Sequence, residues 1–303
     1  MGATGEIAEF IVKSRWDELP PGAIEQAKRA ILDSVGVMLA GSVDPPARIV
    51  QQIAESEGGA PLASVLGTPI RTGGVWAALA NGTAGHALDF DDTNFAMMGH
   101  PSVPVLAAAL AAGELALADG RALLHAFLLG FEVETTLGEV VNPAQYTRGF
   151  HATGTLGALG AAAAAAKLLD LDPIQARHAL AIAASQASGL KENFGTMTKP
   201  FHAGHAARSG LLAALMAREG FTASEVALEG PQGYLRVLGT QTDDPTPALA
   251  RLGAPWKILT SGVAVKPYPS CACTHSIIEA LLELREAHRL RPEEVREIQV
   301  GVA

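Results

Sequence analysis

Four blocks of the sequence place acidic, imidazole and ammonium side chains at spacings suited to proton chemistry on an anion. The first holds His86, then Asp89-Phe90-Asp91-Asp92-Thr93-Asn94, then His100-Pro101-Ser102. Three carboxylates within four positions repel one another if buried without partners, and a solvated loop or helix cap is the plain reading of such a cluster. Its apolar flanks and two nearby histidines point instead to function, because imidazole and carboxylate together can shuttle a proton near neutral pH. The second block is Arg148-Gly149-Phe150-His151-Ala152-Thr153, set before a run of small apolar residues. A helix starting there would attract an anion through its free amides; the alternative is a capping Thr153 with an incidental histidine. The third is Lys199-Pro200-Phe201-His202, with His205 three residues on. Lys199 precedes a proline and is expected in extended conformation at a helix start. His202 and His205 share a helix face; a metal site would need a third ligand from elsewhere, so a structural or substrate role is the better reading. The fourth runs from Lys266-Pro267-Tyr268-Pro269-Ser270 through Cys271 and Cys273 to His275. A Cys-x-Cys without a second pair is a poor zinc signature. Lys266 before Pro267 reads as a positioned charge, or the stretch is a linker stiffened by prolines.

The segments that must position these blocks read as helices, since Ala and Leu dominate and β-branched runs are scarce. Pro20 and Pro21 precede Ile24, Ala27, Ile31 and Val35 at helical spacing. Further helices are expected over 46–56, 74–87, 103–117, 121–140, 155–169, 172–189, 201–219 and 276–288, with a small hairpin over 63–71. Residues 154–166 are nearly all small, which lets helices approach closely and places that segment in the interior. Val295, Ile298, Val300 and Val302 read as a strand. A strand needs neighbours, so this one is expected to pair with another chain or a following segment. No internal period indicates a solenoid.

Composition bounds the function. Apolar residues make up 49% of the 303 and charged residues 17%, which excludes a disordered chain. Lys plus Arg total 22 against 31 Asp plus Glu, a formal charge of −9. That balance argues against nucleic acid as a partner but leaves room for a locally basic pocket and a small anion. Two cysteines at alternate positions make no disulfide framework and suit a reducing cytoplasm. Residues 1–13 lack a secretory pattern, and the apolar run over 156–166 is shorter than the ~20 residues of a membrane span. A soluble cytoplasmic protein with no membrane partner is expected.

In order and spacing, these blocks resemble the MmgE/PrpD family, whose members include 2-methylcitrate dehydratase, cis-aconitate decarboxylase and iminodisuccinate epimerase. The matching residues are Asn81-Gly82, His86 through Thr93, His100-Pro101-Ser102, Gly149-Phe150-His151, Lys199 through Gly204 with Ala206-Ala207, Gly220-Phe221-Thr222, Lys266 through Ser270, and Thr274-His275. The resemblance implies a mainly α fold: a large all-helical domain over 1–265, then the beginning of a small α+β lid over 266–303, truncated relative to the family. It also implies a homodimer, a cleft between the two domains, and chemistry without cofactor or metal. Asp89 and Thr93 match the acidic motif near substrate, His100 and His151 the acid/base histidines, and Lys199 and Lys266 the lysines that meet substrate carboxylates. Arg148 could add to that charge, and His275 closes the last motif. Cys271 stands where the decarboxylase branch carries histidine, so a 2-methylcitrate dehydratase-like lyase acting on a small polycarboxylate is the expected activity. Phe95, Met97, Met98 and Cys271 are expected at the cleft mouth. Two rival readings fit the same residues less well. An all-helical Mg²⁺-dependent isoprenoid-type enzyme would use Asp89, Asp91 and Asp92, but a second aspartate-rich helix is not evident. A truncated, non-catalytic dimerisation protein would leave the site residues idle.

Overall fold

The computed structural model describes residues 2–240 and 244–301. Its helices run in order α1 (Ala3–Lys13), α2 (Pro21–Gly41), α3 (Pro45–Glu57), α4 (Gly74–His86), α5 (Ser102–Ala116), α6 (Gly120–Val141), the single turn α7 (Ala144–Thr147), α8 (Ala152–Leu168), α9 (Pro173–Gln186) and α10 (Thr198–Arg218). Short turns α11 (Tyr234–Leu238), α12 (Thr246–Leu249) and α13 (Lys257–Thr260) follow, and then α14 (His275–His288). Ala63–Ser64 and Arg71–Thr72 form the expected hairpin, paired antiparallel. The described residues are mainly helical, as anticipated.

Local chemistry explains the boundaries. Prolines open α2, α3 and α9, where a missing N–H costs nothing. Asp172 and Gln175 complete a capping box on α9, and the Asp119 carboxylate accepts the Ala122 N–H at 2.8 Å on α6. Every residue of α8 except Lys167 is buried, so that helix has no polar face. Packing α8 among α5, α6, α9 and α10 makes it the axis of the core. A Cβ on Gly82 would lie 2.7 Å from the Gly204 Cα, so α4 and α10 touch backbone to backbone. That crossing brings the end of α4 beside the start of α10.

Residues 3–13, given no element in the sequence reading, form α1, with Ile7, Ala8 and Ile11 buried and its first turn held by the Glu229 carboxylate, which accepts the Thr4 N–H at 3.0 Å. Two expectations are corrected. Lys199 is helical rather than extended: Pro200 falls within the first turn of α10, where its ring is tolerated. No strand forms over 295–300, which stays irregular and exposed among the described residues. A lone extended segment has no ladder to join; Val302 lies outside the described residues. Among the described residues no helix is long and apolar enough to cross a membrane.

Candidate active site

The C-terminal end of α4 and the N-terminal ends of α5, α8 and α10 meet at one end of the body. Each brings an ionisable group: His86 ends α4, His100 lies two residues before α5, His151 caps α8, and Lys199 and His202 stand in the opening turns of α10. Three helix N-termini turned to one place favour a negative charge there.

Asp91 organises the histidines. His86 Nδ1 lies 2.8 and 3.0 Å from its two carboxylate oxygens, and His100 Nδ1 lies 3.3 Å from Oδ1. Burial works against the Asp91 charge, yet the two imidazoles outweigh it and hold the carboxyl well below its usual range. An acceptor on Nδ1 fixes the tautomer and leaves Nε2 as the working nitrogen. His100 Nε2 then faces Asp89 Oδ1 at 3.6 Å. The His86 and His100 rings stand edge to face at 4.4 Å, and His86 stacks on His151 at 5.6 Å. His151 Nδ1 lies 3.0 Å from His202 Nδ1, and the Phe194 ring closes a further side of His151 at 4.8 Å. Burial first, then the neighbouring imidazoles and Lys199, depresses His151 well below the usual histidine range and His202 to about 4. Both rings are neutral at pH 7.

Asp89 is the meeting point. Its backbone is left-handed at φ +49°, and its Oδ2 accepts from Lys199 Nζ at 2.5 Å while Oδ1 and the main-chain oxygen each accept from Lys266 Nζ at 2.7 Å. Burial opposes this charge, but His100, His86 and Lys199 prevail and lower the Asp89 pKa. Lys266 reaches across because Thr93 and Ala264 exchange both backbone hydrogen bonds at 2.9 Å, and Asn94 Nδ2 donates to the Gly262 carbonyl at 2.7 Å. The Ser270 carbonyl holds Lys266 Nζ at 3.0 Å and the His275 ring at 3.2 Å. Asp92, behind the cluster, accepts from the Ser102 hydroxyl; burial, with Asp91 alongside, raises it to about 7.

His100, His151, Asp89, Lys199 and Lys266 therefore converge, with His275 one carbonyl away and Thr93 contributing its main-chain pairing with Ala264. Arg148 does not join them: its guanidinium donates to the Val237 and Leu238 carbonyls at 3.2 and 3.3 Å and ties down α11. Cys271 and Cys273 are exposed thiols near the cluster. Phe95 and Met98 are exposed, but Met97 is fully buried in the core and is not a rim residue. His205 stacks on Phe201 and approaches Ser209, while His202 turns its Nδ1 to His151; among the described residues no third ligand joins the two histidines. Sequence reading gave His202 a structural or substrate role but no tie to His151, although it lies one turn beyond Lys199 on the same face; that Asp91 would hold both His86 and His100 was not foreseen. Tyr146 carried no signal. Burial first, then Cys271, Cys273 and Asp89, raise its phenol, and Lys191 Nζ sits 3.6 Å over its ring. His86, Asp89, Asp91 and His100 bring ligand atoms within 4.8 Å of one another, close enough for a cation. Two ammonium groups already bind the Asp89 oxygens and would repel it, so the donor set suits an anion better.

Residues 5–246 match the family model described as the MmgE/PrpD N-terminal domain. The chain is 33% identical over 296 residues to cis-aconitate decarboxylase of Mus musculus, covering 96% of this chain and 60% of that protein. It is 34% identical over 269 residues to the enzyme of the same name from Homo sapiens, covering 87% and 55%, and 30% over 297 residues to that from Aspergillus terreus, covering 94% and 60%. The chain spans about three fifths of the length of these curated relatives. With that match over most of its length, and with the buried histidines and paired lysines in place, the chain belongs to the MmgE/PrpD family.

Proposed function

We propose that the protein is a cofactor-independent lyase or isomerase that removes a proton beside a carboxylate of a small polycarboxylate. The observation that carries this reading is Asp89: one carboxylate held by two ammonium groups, with an imidazole nitrogen 3.6 Å away. A substrate carboxylate has the same charge and shape. Bound there, it would share or take over the lysines from Asp89. Loss of the neighbouring C–H proton builds charge on that carboxylate, and Lys199 and Lys266 would stabilise it as it develops. Neutral His151 serves as the base. His100, backed by Asp91, hands a proton to the departing hydroxyl or back to carbon. Each acid/base group is worth roughly 10²–10⁴ in rate.

Dehydration of a 2-methylcitrate-like hydroxy acid is the first reading, because Cys271 stands where the resemblance to the decarboxylase branch implies histidine. The relatives' names favour decarboxylation of cis-aconitate as the second reading. The lid beginning at 266, a homodimer and a cytoplasmic setting belong to the same proposal. Proton NMR in D₂O with 2-methylcitrate, citrate, cis-aconitate and iminodisuccinate, with and without EDTA, tests it. Deuterium beside a carboxylate, or an alkene from 2-methylcitrate, unaffected by EDTA, is expected. Abolition by EDTA would overturn the cofactor-free mechanism, and carbon dioxide released from cis-aconitate would select the second reading.

A further inference from the structure

The contact between His151 and His202 has a consequence for which nitrogen does the chemistry. Two neutral imidazoles whose Nδ1 atoms lie 3.0 Å apart must hold one proton between them. If neither carried it, two lone pairs would face each other; if both did, two N–H groups would collide. Two arrangements satisfy the contact. In one, His151 donates from Nδ1 and keeps a lone pair on Nε2. In the other, His202 donates and His151 carries its proton on Nε2.

The role proposed for His151 chooses between them: a base needs a bare Nε2, which only the first arrangement supplies. Gly189 preserves the pairing: it adopts φ +137°, its carbonyl accepts the His151 backbone N–H at 2.9 Å, and a Cβ there would meet both His202 and His151 at 3.3–3.4 Å. The backbone is shaped so that the two rings can touch.

We propose that His202 is the positioning residue of His151, accepting its Nδ1 proton and so presenting the Nε2 lone pair to the cleft as the base. That choice of tautomer rests on the proposed proton abstraction; the single proton shared between the two Nδ1 atoms does not. When Nε2 takes a proton, the His202 Nδ1 lone pair still accepts from the resulting imidazolium and stabilises it.

Long-range ¹H–¹⁵N NMR of the ¹⁵N-histidine chain at pH 7.5 reads this directly, with the His151 signals assigned by their loss in His151→Phe. The expected parent spectrum shows His151 protonated on Nδ1 and bare on Nε2. In His202→Leu the tautomer moves toward Nε2–H, and deuterium exchange into substrate falls at least tenfold in kcat with little change in KM. In His202→Asn, whose side-chain oxygen can accept the same proton, the Nδ1–H tautomer returns and exchange recovers above the leucine variant. Nε2–H in the parent, or an unchanged tautomer in folded His202→Leu, overturns the proposal. If the tautomers behave as stated while the parent exchanges no proton with any of the four acids, the proposed activity fails and the assignment of His202 stands.

Discussion

The helical body and the segment that follows it reach the site by opposite physical routes. From α4 to α10 the side chains are locked. Phe127, Phe131, Leu156 and Leu159 are fully buried, and the site histidines rest on the ends of helices packed around α8. Beyond residue 260 little is buried: α14 has no buried residue, and Leu284, Val295, Ile298 and Val300 are exposed. Yet Lys266 of that segment is 5% exposed, held by the Thr93–Ala264 pairing and by Asp89. The groups proposed to transfer protons thus sit on rigid elements, as precise geometry requires, and one of the two charges proposed to meet the anion arrives on a lightly anchored strap. Local stability is expected to differ accordingly, since openings draw on regions with few buried contacts.

The widest test of that contrast is chemical. His100→Ala and His151→Ala should each lower proton exchange into substrate by roughly 10²–10⁴, with the fold retained by circular dichroism. Near-parental turnover in both would remove the acid/base assignment. A thermodynamic test follows: Phe131→Ala should cost about 3–5 kcal/mol in urea unfolding, whereas Leu284→Ala, 49% exposed, should stay within about 0.5 kcal/mol. Equal costs would mean that the two regions do not differ. Lys266→Ala should raise KM for the polycarboxylate roughly 10–100-fold, the range of a charged hydrogen bond, and leave urea unfolding of the body near parental.

A smaller effect concerns pH. Asp92 is raised to about 7 in the fold, above its unfolded value. The folded chain therefore holds this proton more tightly, and the stability it contributes is complete below the unfolded pKa and lost as pH rises through about 7. Asp92→Asn removes the dependence. The stability of the parent relative to this variant should fall by up to ~1.4 kcal/mol per pH unit between roughly pH 5 and 7, then level off. A pH-independent difference would contradict the burial of an ionisable Asp92.

The same division governs what could be read from sequence. Helices with proline starts or uniform small residues, such as α2, α3, α8 and α9, were legible because local chemistry decides them. So were the four blocks that supply Asp89, His100, His151, Lys199 and Lys266. What escaped was set by contacts between distant segments. Arg148 looked like part of an anion site until the α11 carbonyls claimed it. Met97 looked like a rim residue, but the loop turns at left-handed Met98 and drops it into the core. The 295–302 pattern suits a strand, but strand formation depends on a partner that local sequence does not supply. His202 gained its role from His151, 51 positions away.

The central claim is that one anion site is built jointly by the body and the strap. Hydrogen exchange read by mass spectrometry, with and without saturating 2-methylcitrate, tests it most directly. The account expects slowed exchange together in peptides covering 86–100, 149–154, 196–205 and 262–275, with α14 unchanged. Protection confined to the body, or to the strap alone, would contradict it.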